Sequence, residues 1–204
     1  MNIIFASAVV ATNILFSAAG EAVVAKDASA REVVQTCRKM IPADIELGGR
    51  IILRNRRGIK QAEYDYRLKR TAGETCLKFF KDGGEVPYER GGRLLNTDVT
   101  WSDITLDYLW WDDFGFDRER ESESVHGQLC MVVLFKKGER TVRVWVDRKT
   151  GALMQAEELV SGKAVRRLWG TRIKKFGQRW MANVMEVETV GSGHRTKITV
   201  EEVK

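Results

Sequence analysis

The sequence predicts a mainly β protein, an antiparallel meander preceded by one helix. In residues 62–69, apolar and charged side chains alternate, which is the period of a strand with one buried and one wet face. The second half repeats short apolar stretches joined by tight turns such as 147–151 and 191–193. With 2 prolines in 204 residues and no low-complexity stretch, we expect a single domain.

The predicted helix follows a capping-box pattern, Ser29-x-x-Glu32. Apolar residues then recur at spacings of three and four up to Met40, and Pro42 ends the helix. The remaining strands are predicted at 51–53, 62–69, 75–79, 129–135, 142–146, 153–159, 165–173, 180–190 and 196–200.

The middle of the chain, 87–123, departs from this rhythm. Thr100-x-x-Asp103 predicts a second helix start, and the apolar side that follows consists of Ile104, Leu106, Leu109 and Trp110. We interpret this helix as a cover lying across the sheet. The charged segment 112–124 that follows is predicted to be a solvated loop.

The first residues resemble a signal peptide. The run from Ile3 to Ala19 is apolar or small except for Asn13. Ser17 and Ala19 suit cleavage before Gly20, although a cut near Ala25 is also compatible. We therefore expect a cleaved signal peptide over 1–19 and a domain over 20–204. An uncleaved membrane anchor is the alternative, but the run is short against the roughly 20 residues of a spanning helix.

The net charge of +6 and the pI near 9.3 indicate a basic surface. Such a surface suits phospholipid head groups, acidic protein faces or nucleic acid, and export makes nucleic acid the least expected partner. The basic clusters at 54–57, 166–167 and 174–175 are predicted to lie at turns or on wet strand faces. We expect a monomer.

Three cysteines make an odd number. Either one pair is bridged and one thiol is left, or all three are buried free thiols, and Cys37–Cys76 is the pair to test for a bridge. Cys130 lies in an apolar run and is predicted to be a core residue. No two cysteines have metal-ligand spacing, and no metal or other cofactor is predicted.

Groups for catalysis are scarce, and we expect the protein not to be an enzyme. His126 and His194 are the only histidines, and both are predicted to be structural or solvated. Asp112, Asp113 and Asp117 follow two tryptophans and could indicate a sugar site, but a charged loop is the favoured interpretation.

Aromatic residues are abundant, with 6 Trp and 8 Phe. Trp101, Trp110 and Trp111 fall in the predicted cover, and other tryptophans fall in the meander. Large aromatics on a sheet and on its cover suit either an apolar pocket or a well-filled core.

From Asn96 onward the chain resembles the LolA-like family of outer-membrane lipoprotein-sorting proteins. The resemblance is carried by Thr97–Ile104, Gly127–Cys130, the hairpin Val144–Leu153 and the strand Arg179–Val187. It implies an incomplete, strongly curved antiparallel β-barrel whose open side is covered by helices. It also implies a periplasmic protein that binds or carries lipoproteins or lipids by holding their acyl chains in an apolar cavity.

On this basis we expect an apolar ligand site without hydrogen-bonding groups. Its predicted lining is Trp101, Ile104, Leu109, Trp110, Val133, Trp145, Met154 and Trp169. The alternative is a regulatory or scaffold module of the same fold that recognises another envelope protein through its basic face.

Overall fold

The computed structural model describes residues 24–25, 27–41, 44–71, 74–176 and 179–204. The predicted signal peptide and its cleavage site lie outside the described residues.

In the described part of the chain, one antiparallel sheet of twelve strands dominates the fold. Its strand order is β4-β3-β2-β1-β12-β11-β10-β9-β8-β7-β5, and β6 also pairs with β7. Within the described residues the sheet ends at β4 and β5, so it is open, and the expected mainly β, incomplete barrel is confirmed. The strands are Ile45–Arg54 (β1), Lys60–Thr71 (β2), Glu74–Lys81 (β3), Gly84–Val86 (β4), Asp113–Phe116 (β5), Ser122–Val125 (β6), Gln128–Lys137 (β7), Arg140–Asp147 (β8), Leu153–Val160 (β9), Lys163–Phe176 (β10), Arg179–Thr189 (β11) and Arg195–Val203 (β12).

Consecutive strands from β7 to β12 are neighbours, which confirms the predicted meander. The first and last strands then join the two halves of the chain, because β1 pairs with β12 and places Ile51 opposite Ile198. We call the face that carries these two buried residues the inner face, since its side chains form the main core. The opposite face is the outer face.

The N-terminal helix, α1, spans Ala30–Met40 and begins with the predicted capping box. The Ser29 N–H donates to the Glu32 carboxylate at 2.7 Å, and the Ser29 hydroxyl accepts from the Glu32 N–H at 3.3 Å. The helix buries Val33, Val34 and Cys37 in the main core.

The segment 112–124 is not the solvated loop that its charge predicted. It contains β5 and β6, and both pair with β7. Between them Asp117 is buried, and its carboxylate accepts from Arg143 Nε at 2.6 Å. The prediction was therefore wrong about the secondary structure and about Asp117, whose charge is compensated by an arginine on β8. The charged residues from Arg118 to Glu121 are exposed, as predicted.

Opposite charges continue across the outer face on neighbouring strands. Arg143 also contacts Glu157, Glu157 contacts Arg167, and Arg167 contacts Glu188, which in turn contacts Arg195. Each of these pairs joins residues that lie directly opposite each other, so the pairs favour the observed register of β8 to β12.

The three cysteines are free thiols, and Cys37 and Cys76 are not bridged. Cys37 lies on the buried side of α1, whereas Cys76 lies on the exposed side of β3. Cys130 is a core residue, as predicted. Burial raises the pKa of Cys37 to about 12, against a smaller opposing effect of Arg38, and burial likewise raises the pKa of Cys130 to about 12.

These environments predict selective alkylation of the native protein. Because the thiolate is the reactive form, iodoacetamide at mildly alkaline pH should modify Cys76 first and leave Cys37 and Cys130 unmodified until the protein is unfolded. Peptide mass spectrometry before and after unfolding measures this. Protection of both Cys37 and Cys76 until a reductant is added would instead reveal a bridge between them.

Candidate functional site

A short helical segment, residues 98–111, covers part of the inner face, and we call it the cover. It contains helix α2, Trp101–Thr105, and the 3₁₀ helix Asp107–Trp110. A further 3₁₀ helix, Leu94–Asn96, precedes it.

Helix α2 starts at the predicted capping residues. The Asp103 carboxylate accepts from the Thr100 N–H at 2.6 Å and from its hydroxyl at 3.0 Å. The predicted helix is nevertheless broken, because Leu106 has a φ of 53° and ends α2 in the left-handed conformation.

The cover fills the inner face with its own apolar side chains. Tyr108 packs edge-on against Phe135 of β7, with ring centroids 6.5 Å apart. The buried residues that the cover contributes to the main core are Val99, Ile104, Tyr108, Leu109 and Trp111.

Arg166 of β10 is the central polar contact between the sheet and the cover. Its side chain is buried, and its Nε donates to the Asp98 carbonyl at 3.2 Å. One terminal nitrogen donates to Thr100 Oγ1 at 3.2 Å and to Glu158 at 3.0 Å, and the other donates to Asp103. The guanidinium thus holds the start of the cover in three places.

Three further arginines hold the rest of the cover. Arg38 of α1 donates to the Leu109 carbonyl at 2.6 Å, and Arg70 of β2 donates to the Thr105 carbonyl. Arg140 of β8 donates to a hydroxyl of α2, Ser102 Oγ, at 3.1 Å. We call these three residues and Arg166 the arginine latch.

At the latch, burial and neighbouring charges shift the pKa values of Asp103 and Arg166 in opposite directions. Burial raises the pKa of Asp103, and Arg166 and Thr100 offset part of this because both stabilise the carboxylate. Burial also acts against the charge of Arg166, but Asp103 and Glu158 together outweigh it, so the pKa of Arg166 is raised. Arg166 is therefore a permanent cation inside the fold.

The space left beneath the cover is small. A cavity of about 20 Å³, lined by Ser102, Asp103, Tyr108 and side chains of the sheet, lies next to the latch. A volume of this size holds about one water molecule. In this conformation the cover itself therefore occupies the inner face beside the latch.

The residues predicted to line a ligand site fall in different places. Ile104, Leu109 and Val133 lie together in the main core, and Trp101 packs against it while remaining partly exposed. Trp110 is 43% exposed on the cover.

The other three predicted residues lie on the outer face, which corrects the expectation that all eight share one lining. Trp145 belongs to a second, smaller cluster with Met154 packed against it, and its indole N–H donates to Glu123 at 2.9 Å. Trp169 lies beneath Arg195, 5.5 Å from the ring centroid. Successive side chains of a strand point to opposite faces, so these three are directed away from the cover.

Arg166 was not among the residues predicted for the site, because the basic clusters were predicted to lie at turns or on wet strand faces. The spacing could have placed Arg166 on the inner face. Leu168, two residues further along β10, is apolar, and side chains two positions apart on a strand point to the same face. Phe135 and Ile198, which complete the inner face, belonged to predicted strands but were not proposed as lining.

Comparisons with known proteins support the fold. A family model described as "Uncharacterized protein" matches residues 86–204. No curated protein matches the sequence. A LolA superfamily protein from Nitrosomonas europaea is similar in structure, with 15% identity, a TM-score of 0.66, and coverage of 86% of this chain and 93% of that one.

Two further solved structures are similar. A DUF1329 family protein from Desulfovibrio piger has 15% identity and a TM-score of 0.61, with 85% and 92% of the two chains covered. A domain from Vibrio parahaemolyticus, named for outer membrane lipoprotein sorting, has 14% identity and a TM-score of 0.63, with 85% and 90% covered. At these identities the likeness shows the fold, which is LolA-like.

Among the described residues, no helix is long and apolar enough to cross a membrane. The same part of the chain contains no group of three or more His, Cys, Asp or Glu side chains arranged to hold a metal ion.

The latch leads to a prediction about stability. Arg166→Met leaves Asp103 and the Asp98 carbonyl buried without their partner, so the free energy of unfolding should fall by about 3 kcal/mol. Denaturant unfolding measures this, and hydrogen exchange should show faster exchange of the cover amides.

The matched control is Arg195→Met. This arginine pairs with Glu186 and Glu188 on the outer face, and its side chain is 60% exposed. The expected loss is at most about 1 kcal/mol. Equal losses in the two variants would show that Arg166 has no special role in holding the cover.

Proposed function

We propose a function from two premises: the chain belongs to the family described as "Uncharacterized protein", whose model matches residues 86–204, and its fold is LolA-like. The proposal is a periplasmic protein, exported by a cleaved signal peptide, that binds or carries lipoproteins or lipids. It holds their acyl chains on the inner face, beneath the cover.

The observation that carries this proposal is the separation of apolar and polar contacts at the inner face. Apolar side chains such as Leu109 and Val133 meet there, while the polar contacts lie beside them at the arginine latch. An acyl chain offers no hydrogen bonds, so its site needs apolar lining and exclusion of water. Burial then contributes about 25 cal/mol for each Å² of apolar surface.

Binding by this route requires the cover to move. The core residues of the cover occupy the space, and the adjoining cavity of about 20 Å³ is far too small for an acyl chain. When the cover lifts, an acyl chain replaces Ile104 and Leu109 against the sheet. One apolar contact replaces another, so the main cost of opening lies in breaking the arginine latch.

Within this proposal the lining consists of Trp101, Ile104, Leu109 and Val133. Trp110, exposed on the cover, belongs to the rim. Trp145, Met154 and Trp169 are left out, because they lie on the outer face.

The arrangement of acidic residues supports binding rather than catalysis. Asp112 and Asp113 are exposed, whereas Asp117 is buried and paired with Arg143, so Asp117 is engaged in an ion pair within the fold. His126 and His194 are both exposed. We propose that the protein is not an enzyme.

One observation favours a second candidate function. Because the inner face is filled, the same fold serves equally as a scaffold that recognises another envelope protein through its surface. In that case the cover stays closed and the latch is structural.

Lipid binding tests the proposal. Protein purified from a periplasmic extract should carry copurifying lipid in native mass spectrometry and should bind a fluorescent fatty acid. If the cover must open, Arg166→Met should take up the fatty acid about tenfold faster or more, because it populates the open form. Arg195→Met should behave like the unmodified protein.

Two results would count against the carrier. The first is empty protein in repeated preparations together with no fatty acid uptake by any variant. The second is a stable protein complex from envelope extract that is salt-sensitive but indifferent to added lipid, which would favour the scaffold.

A further inference from the structure

The hairpin formed by β10 and β11 extends past the strands beside it. β10 pairs with β9 as far as Trp169, and β11 pairs with β12 from Val184 onward. Beyond these positions, and within the described residues, β10 and β11 pair only with each other, as far as Phe176 of β10. We call residues 170–176 and 179–183 the hairpin tip. At about 3.3 Å per residue, its β10 side is roughly 20 Å long.

Charge in this part of the sequence has one sign. From Leu159 to Met185 there are seven lysines and arginines and no aspartate or glutamate. Four of these bases belong to the hairpin tip, namely Arg172, Lys174, Lys175 and Arg179. The side chains of the first three are exposed.

Arg166 and Arg167, which lie nearer the middle of the sheet, are neutralised by neighbouring elements. Arg166 pairs with Glu158 of β9 and Asp103 of the cover. Arg167 pairs with Glu157 of β9 and Glu188 of β11. The hairpin tip extends beyond these acidic residues, so they do not neutralise the positive charges of its bases.

The tip also presents an aromatic side chain beside the charges. Phe176, half-buried at the end of β10, has Lys174 Nζ 5.1 Å from its ring centroid. Basic residues interspersed with large apolar ones are typical of segments that lie at a membrane surface. There the ammonium groups meet phosphates and the ring enters the interface.

We propose that the hairpin tip docks on the surface of an anionic phospholipid bilayer. Lys174 and Lys175 are consecutive and point to opposite faces of the hairpin, so positive charge surrounds the tip. A bilayer offers anionic groups on every side of an inserted tip, whereas an acidic protein face would engage one side. The bilayer therefore matches this distribution better.

This interaction does not depend on acyl-chain binding beneath the cover. Each basic residue near an anionic surface strengthens attachment about fivefold, so two contribute about thirtyfold. Exposed charges are also screened, and attachment should weaken steeply as salt is added.

The test is cosedimentation of the purified full chain with lipid vesicles. The protein should bind vesicles that contain phosphatidylglycerol and not vesicles of phosphatidylcholine alone. Lys174→Gln/Lys175→Gln should weaken binding about thirtyfold, and Phe176→Ser should weaken the binding that persists at high salt.

The chain offers a matched control in Lys136→Gln/Lys137→Gln. These adjacent lysines are exposed at the end of β7, before a turn that contains Gly138, and removing them changes the net charge equally. Their loss should leave vesicle binding nearly unchanged. Thermal unfolding of both double variants should match that of the unmodified protein, since all four side chains are exposed.

Three results would overturn the proposal: no binding of the unmodified protein to phosphatidylglycerol vesicles, unchanged binding of Lys174→Gln/Lys175→Gln, or equal losses in the two double variants. Capture of an acidic protein by the tip without vesicle binding would also overturn it. Fatty acid uptake, measured on the same samples, should be the same in all variants, so failure of this proposal is separable from failure of the carrier function.

Discussion

The buried guanidinium of Arg166 is the contact on which the arrangement of the inner face depends. It lies on a central strand and reaches the cover through a carbonyl, a hydroxyl and a carboxylate. These groups also start helix α2, because Asp103 caps it and Thr100 precedes it. One side chain therefore joins the start of the cover, which its own capping residues define, to the inner face of the sheet.

Apolar packing and the latch contribute differently to stability. Burial of Ile104, Leu109 and Trp111 supplies favourable free energy that has no direction. A buried ion pair adds little net stability compared with apolar residues of the same shape, because desolvation offsets its attraction. Its partners are costly to leave unpaired, however, so the latch defines one position for the cover. In the carrier function proposed above, an apolar ligand would replace the apolar contacts, and the latch would set how often the cover opens.

Much of this architecture could be predicted from local patterns. The turns of the second half and both capping boxes are effects of neighbouring residues, and each was confirmed. The alternation predicted for residues 62–69 is present from Asp65 to Lys69, whereas residues 62–64 are all half-buried. In β8 alternation separates the valines from Arg143 and Trp145, but it does not show which of these two sides faces the cover. All residues from Val142 to Asp147 are buried, so neither side is marked as the wet one, and Trp145 was therefore placed on the wrong face.

The remaining errors concern charges that are compensated by distant residues. Asp117 and Arg143 are 26 positions apart, and Arg166 and Asp103 are 63 apart. The residues next to each charge in the sequence predict that it is solvated. Each is buried because the sheet brings it close to a partner of opposite charge. The break at Leu106 is also tertiary in origin: its positive φ lets Tyr108 and Leu109 turn inward, where the sheet already provides an apolar surface.

Strand β10 shows how topology assigns different roles to residues of one type. Its arginines and lysines come from a stretch without acidic residues, so composition alone would give them one common role. Arg166 points inward to the cover and Arg167 points outward to the glutamates of β9 and β11. The bases of the hairpin tip lie beyond those neighbouring glutamates along the two strands. Arg166 and Arg167 are thus neutralised by ion pairs within the fold. The remaining positive charge of the stretch is concentrated at the hairpin tip, where it suits contact with an anionic surface.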